Sequence, residues 1–150
     1  MNLLQCFFHL NGGTYATLSV PGVGFFPAFS GNGDATNRAE SANIPDIGPL
    51  PPGRYYILLR GLGGWYTQTK DSVNAFFTGS NRNEWFALYR DDGLINDETF
   101  VKGVRRGEFR LHPIGPSGIS KGCITFIVRA ILRFWHQPYF ELEGSNWETT

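Results

Sequence analysis

One histidine and one cysteine bracket the stretch Phe109-Arg110-Leu111-His112-Pro113-Ile114-Gly115-Pro116-Ser117-Gly118-Ile119-Ser120-Lys121-Gly122-Cys123. A thiolate attacks carbonyl carbon well, but a free thiol is mostly protonated near neutrality and needs a nearby base or cation. His112 is a suitable base for Cys123. The glycines at 115, 118 and 122 and the prolines at 113 and 116 make the connection between them a loop.

The elements on either side must position the pair. Glu108 to His112 alternates with period two, which sends Phe109 and Leu111 to one face and Arg110 and His112 to the other. This predicts a strand whose apolar residues enter the core and whose polar residues line a cleft. After the loop, Ile124, Ile127, Val128, Ile131, Leu132 and Trp135 follow a helical period. The spacing therefore predicts a helix that opens at Cys123, with the helix dipole favouring a thiolate. In that arrangement the Gly122 and Cys123 amides can receive a developing oxyanion, and Gly122 permits the sharp turn.

Residue types alone leave other readings open. A Cys/His pair is also what a buried thiol beside a hydrogen-bonded histidine looks like. A zinc site is disfavoured, because His112 and Cys123 with His9 or His136 do not fall at ligand spacing. His136 is simply explained by the C-terminal end of the predicted helix, which Pro138 stops. Cys6, inside the strand-like LLQCFFHL, reads as a buried and inert thiol. Arg110, placed beside His112 by alternation, fits either a substrate carboxylate or a salt bridge to Asp or Glu. Ser120 is placed to bond either His112 or the loop backbone.

His112, Ser120, Gly122 and Cys123, as H-x7-S-x-G-C, resemble the active-site motif of L,D-transpeptidases with the YkuD-type catalytic domain. The resemblance is closer to the L,D-transpeptidase-like effectors that type VI secretion systems deliver into rival bacteria. Gly22–Gly33 (GVGFFPAFSGNG), Gly48–Tyr56 (GPLPPGRYY), Glu84–Gly93 (EWFALYRDDG) and Arg106–Thr125 are similar to that family's blocks, in its order. The likeness covers nearly the whole chain and is least clear after about Gln137. Lys121 stands where the broader transpeptidases usually carry a second histidine, which leaves the orienting partner of His112 open.

Composition agrees with such a domain. The 150 residues suit one domain, 1–150, and 19 glycines, 9 prolines and 13 phenylalanines favour a turn-rich, aromatic-packed β protein. Thirteen basic and thirteen acidic side chains cancel, which argues against capture by nucleic acid or an anionic membrane. No uncharged stretch approaches the roughly 20 residues of a membrane helix. Met1 to Leu10 lacks a basic leader and a small-residue cleavage site, and so reads as a strand instead of a signal peptide.

Along the chain, residues 3–10 and 14–20 form a predicted hairpin about Asn11-Gly12-Gly13. The cluster Phe25-Phe26-Pro27-Ala28-Phe29 is expected on a short strand, facing the core more than the cleft. Residues 34–52 read as a loop that feeds a strand from Arg54 to Arg60, with 34–47 expected to border the site. A short helix is expected from Asp71 to Phe77 and a strand from Trp85 to Tyr89. Asp91-Asp92-Gly93 reads as a turn without calcium-loop spacing, and Thr99 to Gly103 as a helical or irregular piece.

The fold expectation is a mainly β domain with a few helices. Together with the resemblance, that implies an L,D-transpeptidase-like sandwich or partly closed barrel of antiparallel strands with the site at one edge. The resemblance further implies a cysteine acyl transferase without cofactor or metal, acting on peptidoglycan tetrapeptide stems between the diamino acid and the terminal D-alanine. Cys123 would be the nucleophile, His112 the general base and acid, Gly122 part of the oxyanion site, Ser120 an orienting residue and Arg110 a substrate contact. Implied partners are the stem peptides, the type VI apparatus and a cognate immunity protein, with synthesis in the producer cytoplasm and action in the target periplasm. A cysteine amidase or endopeptidase, or a wall-binding module without turnover, would fit the same residues less well.

Overall fold

The computed structural model of the protein describes residues 4–59, 85–94, 96–127 and 140–144. Among the described residues the chain forms ten strands: β1 Leu4–His9, β2 Ala16–Val20, β3 Gly24–Phe29, β4 Arg54–Leu59, β5 Phe86–Arg90, β6 Glu98–Val101, β7 Val104–Gly107, β8 Arg110–Pro113, β9 Ile124–Phe126 and β10 Phe140–Gly144. Two single-turn 3-10 helices, Gly33–Ala35 and Ala39–Ser41, lie in the connection between β3 and β4. The mainly β expectation holds.

Eight strands close into a barrel in the order β1-β10-β4-β5-β8-β9-β3-β2, and β6 and β7 form a separate two-stranded sheet. Closure leaves these strands without a free edge, and β8 and β9, which flank the His112–Cys123 loop, lie within the ring. Two pairings, β1 with β10 and β8 with β9, are parallel, whereas the sequence suggested antiparallel strands. Side chains of period two fill the interior: Cys6 and Phe8 from β1, Ala16, Leu18 and Val20 from β2, and Tyr55 and Ile57 from β4. Leu111, Ile124 and Phe126 complete it from the site strands.

The first hairpin forms where predicted, with Phe8 opposite Leu18. Its turn is an Asx turn: the Gly13 N–H donates to Asn11 Oδ1 at 2.9 Å, and Asn11 Nδ2 donates to the Tyr15 carbonyl at 2.9 Å. The Phe cluster divides by alternation, with Phe25 exposed and Phe26 packed on the core, edge to face with Phe126 at 6.5 Å. Residues 34–52 form the expected loop, and strand β4 follows it.

Two predicted elements differ. Ile124–Phe126 is strand β9, buried throughout, and not the start of a helix. A short run buried on both faces has no reliable period, and here parallel pairing to β8 decides its form. Thr99 to Gly103 is not helical either: β6 and β7 form a hairpin that turns at Lys102 and Gly103, both at positive φ (50° and 78°). Such a two-residue turn with both central residues left-handed matches the twist of the strands, but Lys-Gly is a weaker signal than Asn-Gly. The expected helix at 71–77 and the later part of the one after Cys123 lie outside the described residues.

Buried Asn37 clips the long loop to the first hairpin. At φ 55°, it receives the Ser30 N–H on Oδ1 at 2.9 Å and donates Nδ2 to the Gly13 carbonyl at 2.8 Å. Its backbone also bonds Ser30 and Gly12. Asn37→Ala removes a left-handed-tolerant residue and leaves buried groups unpaired. A loss of about 3 kcal/mol is expected in denaturant unfolding. Asn37→Gly should lose less, because it keeps the backbone conformation.

Candidate active site

The site is built on the β8–β9 pair. Leu111 pairs with Ile124, and both enter the core; His112 pairs with Thr125 on the opposite face. Cys123, immediately before β9, shares the parity of Thr125, just as Arg110 shares that of His112. One face of a parallel ladder thus carries Arg110, His112, Cys123 and Thr125. The loop 114–123 is the crossover that parallel strands require. It is tied down where the Ile114 N–H donates to the Phe126 carbonyl at 2.7 Å and the Gly118 N–H to the Gly115 carbonyl at 3.1 Å.

His112 is 1% exposed and stacks on Trp85, with ring centroids 4.6 Å apart. Its Nδ1 lies 2.8 Å from the Pro113 carbonyl oxygen, which can only accept, so the ring proton sits on Nδ1. The Nε2 lone pair is then available as a base, with Thr125 Oγ1 3.4 Å away. Burial pushes the imidazole pKa down to about 4, partly opposed by the Pro113 bond, so the ring is neutral at pH 7. The Pro113 carbonyl is an orienting partner for the ring.

Cys123 is also buried, with Sγ 4.0 Å from the Glu108 carbonyl oxygen. Burial pushes its thiol up to about 11, against the lowering effects of the Arg110 charge and the Arg110 backbone N–H. The resting pair is therefore thiol and neutral imidazole. With β9 in place of a helix, the dipole argument for a preformed thiolate does not apply. Cys6, fully buried and free, is pushed up to about 12 by desolvation, which agrees with an inert core thiol.

The other candidates take defined positions. Ser120 bonds the loop backbone: its hydroxyl donates to the Cys123 carbonyl at 2.7 Å and receives the Gly31 N–H at 3.3 Å. Gly122 adopts φ 109°, a value L side chains rarely take. Arg110, 2% exposed, is paired bidentately with Asp97 at 2.7 and 2.5 Å, the ion-pair alternative of the two open for it. Beside Glu108 a cleft of about 360 Å³ opens, lined by both signs of charge, including Asp46, Asp97, Glu108, Arg105 and Lys121.

Sequence reasoning missed several contributors. Thr125 follows from alternation once β9 is seen as a strand. Trp85 and Asp97 come from distant segments, and no local signal marks them. Among the described residues, no group of three or more His, Cys, Asp or Glu side chains is arranged to hold a metal ion.

Fold and site define a class of protein: a β-barrel domain that presents a buried thiol and a neutral imidazole on one face of a parallel strand pair. The family model described as the Tlde1 domain matches residues 24–138, and the chain belongs to this family of type VI secretion L,D-transpeptidase effectors. Membership implies an enzymatic effector directed at peptidoglycan and secreted into target cells. No curated protein matches the chain.

Folded His112 takes its proton only near pH 4, whereas an unfolded histidine does so near 6.5. The unfolded state therefore binds more protons between these values, and stability falls as pH drops through that window, by on the order of 3 kcal/mol. Urea unfolding at pH 7, 5.5 and 4.5 should show a clearly shallower acid slope in His112→Asn. An unchanged slope would mean that another group carries the acid sensitivity.

Proposed function

We propose that the protein is a cysteine-dependent L,D-carboxypeptidase and exchange enzyme acting on peptidoglycan tetrapeptide stems. The observation that carries this reading is the placement of Cys123 and His112 on one face of the β8–β9 ladder, with the imidazole neutral. Sγ of Cys123 attacks the carbonyl between the diamino acid and the terminal D-alanine as Nε2 of His112 takes the thiol proton. The tetrahedral oxyanion is received by the Gly122 and Cys123 amides. Collapse breaks the C–N bond, His112 returns the proton to the departing D-alanine amine, and an acyl enzyme remains.

Water then releases a tripeptide, and a D-amino acid instead regenerates an exchanged tetrapeptide. Because neither partner is charged at rest, proton transfer accompanies attack, and the buried ladder face keeps the thiol protonated until a carbonyl is present. Ser120 orients the nucleophile through the Cys123 carbonyl. Arg110 reaches a substrate carboxylate only by exchanging Asp97 for it, so its role in the free enzyme is to favour negative charge on the sulfur. Removing donor stems weakens a competitor's wall from its periplasm, and a cognate immunity protein that covers the cleft would protect the producer.

Purified tetrapeptide muropeptides incubated with the protein, with and without a D-amino acid, should lose or exchange terminal D-alanine by mass. Cys123→Ala should give no product, and His112→Ala should reduce turnover by about 10²–10⁴-fold. Cleavage at another bond would instead identify an amidase or endopeptidase. Binding without Cys123-dependent product would leave a wall-binding module.

Arg110→Lys keeps the charge but loses the two-pronged fork to Asp97. If Arg110 meets a substrate carboxylate, KM for the stem should rise about tenfold or more with folding intact. An unchanged KM would confine Arg110 to its ion pair.

A further inference from the structure

Arg106, on β7, is 4% exposed and lies outside the machinery described above. Its guanidinium donates to the carbonyls of Ala42, of Gly48 at 3.0 Å and of Pro49 at 3.5 Å. It also lies over the Phe109 ring, 5.5 Å from the centroid. On its remaining side it packs against the nucleophile's turn. A Cβ added at Gly122 would stand 2.7 Å from Arg106 Nη2 and 3.0 Å from Phe109 Cε1. One cation therefore joins the long loop, the accessory hairpin and the residue before Cys123.

Among the described residues, the hydrogen-bond acceptors of Arg106 are carbonyl oxygens and no carboxylate is paired with it. A buried cation satisfied only by dipoles keeps its full charge available to a nearby anion. The groups near it that are or can become negative are Tyr55, Asp46 and the Cys123 sulfur.

We propose that Arg106 is a positioning residue for the nucleophile: its guanidinium fixes the Gly122 turn and places a buried positive charge against the negative charge that develops at Cys123. This rests on Cys123 being the nucleophile, and it assigns glycine at 122 a second purpose, to admit the guanidinium. Burial lowers the Arg106 pKa, but the nearby Cys123, Asp46 and Tyr55 all favour its charged form. The thiol is also faced by Arg110 and His112 on β8, by Glu108 before it and by Asp97 before β6. Arg110 favours ionisation of the thiol, and Asp97 and Glu108 oppose it.

The test is the pH profile of Cys123 alkylation by iodoacetamide, resolved from Cys6 by peptide mass spectrometry, in the whole chain. Arg106→Gln should slow alkylation at pH 8 about tenfold, as the thiol midpoint rises by roughly one pH unit. Arg106→Lys should keep the midpoint near wild type, yet lower kcat/KM at least about tenfold, because an ammonium cannot hold three carbonyls. A folded Gln variant with an unmoved midpoint would overturn the electrostatic role. If the Gln variant does not fold, the Lys variant decides: a midpoint raised as far as tenfold slower alkylation, despite the retained charge, would also overturn it. The alkylation readout needs no stem peptide, so a wild-type protein inactive on muropeptides would count against the proposed reaction, while an unmoved alkylation midpoint would count against the role of Arg106.

Discussion

The parallel pairing of β8 with β9 is the constraint on which the site depends. Parallel strands put paired residues on the same face, so pairing His112 with Thr125 also brings Arg110 and Cys123 to that face, while Leu111 and Ile124 anchor the other in the core. The crossover loop is short, and its glycines and prolines are what allow the chain to return in time. Closure of the barrel then locks the pair from both sides, through β5 against β8 and β3 against β9. A thiol and an imidazole held this way owe their relation to backbone ladders more than to side-chain contacts.

Burial sets the electrostatic character of the pair. Desolvation lowers the histidine and raises the cysteine, so the dry face of the ladder favours two neutral groups over an ion pair. The Pro113 carbonyl fixes the tautomer that leaves Nε2 basic. Positive charge is supplied from farther out, by Arg110 held on Asp97 and by Arg106 held on carbonyls. Such an arrangement keeps the thiol protonated at rest while buried positive charge stays close by.

The accessory hairpin and the long loop hold these cations in place, Arg110 through Asp97 and Arg106 through loop carbonyls. β6 and β7 are outside the barrel, yet Asp97 just before β6 holds Arg110, and Arg106 on β7 packs against Phe109 and the Gly122 turn. The loop between β3 and β4 returns the favour with its carbonyls and with Gly31, whose N–H meets Ser120. Small strands and a structured loop therefore act as one support for the turn before Cys123.

The sequence by itself determined the period-two strand at His112, the first hairpin, the β class and the family resemblance, and it singled out Cys123 and His112 as candidates for the chemistry. These are local: residue types, alternation and turn formers act over a few neighbours. Tertiary structure decided what locality cannot. Ile124–Phe126 has a pattern that suits a helix, and only burial between two neighbouring strands makes it β9. That one difference removes the helix dipole from Cys123 and brings Thr125 to His112. The Lys102-Gly103 hairpin, the fork of Asp97 and the clamp of Arg106 likewise rest on pairings between distant segments. Their energies depend on which surfaces meet and how far water is excluded, and neither is written in the spacing of residues along the chain.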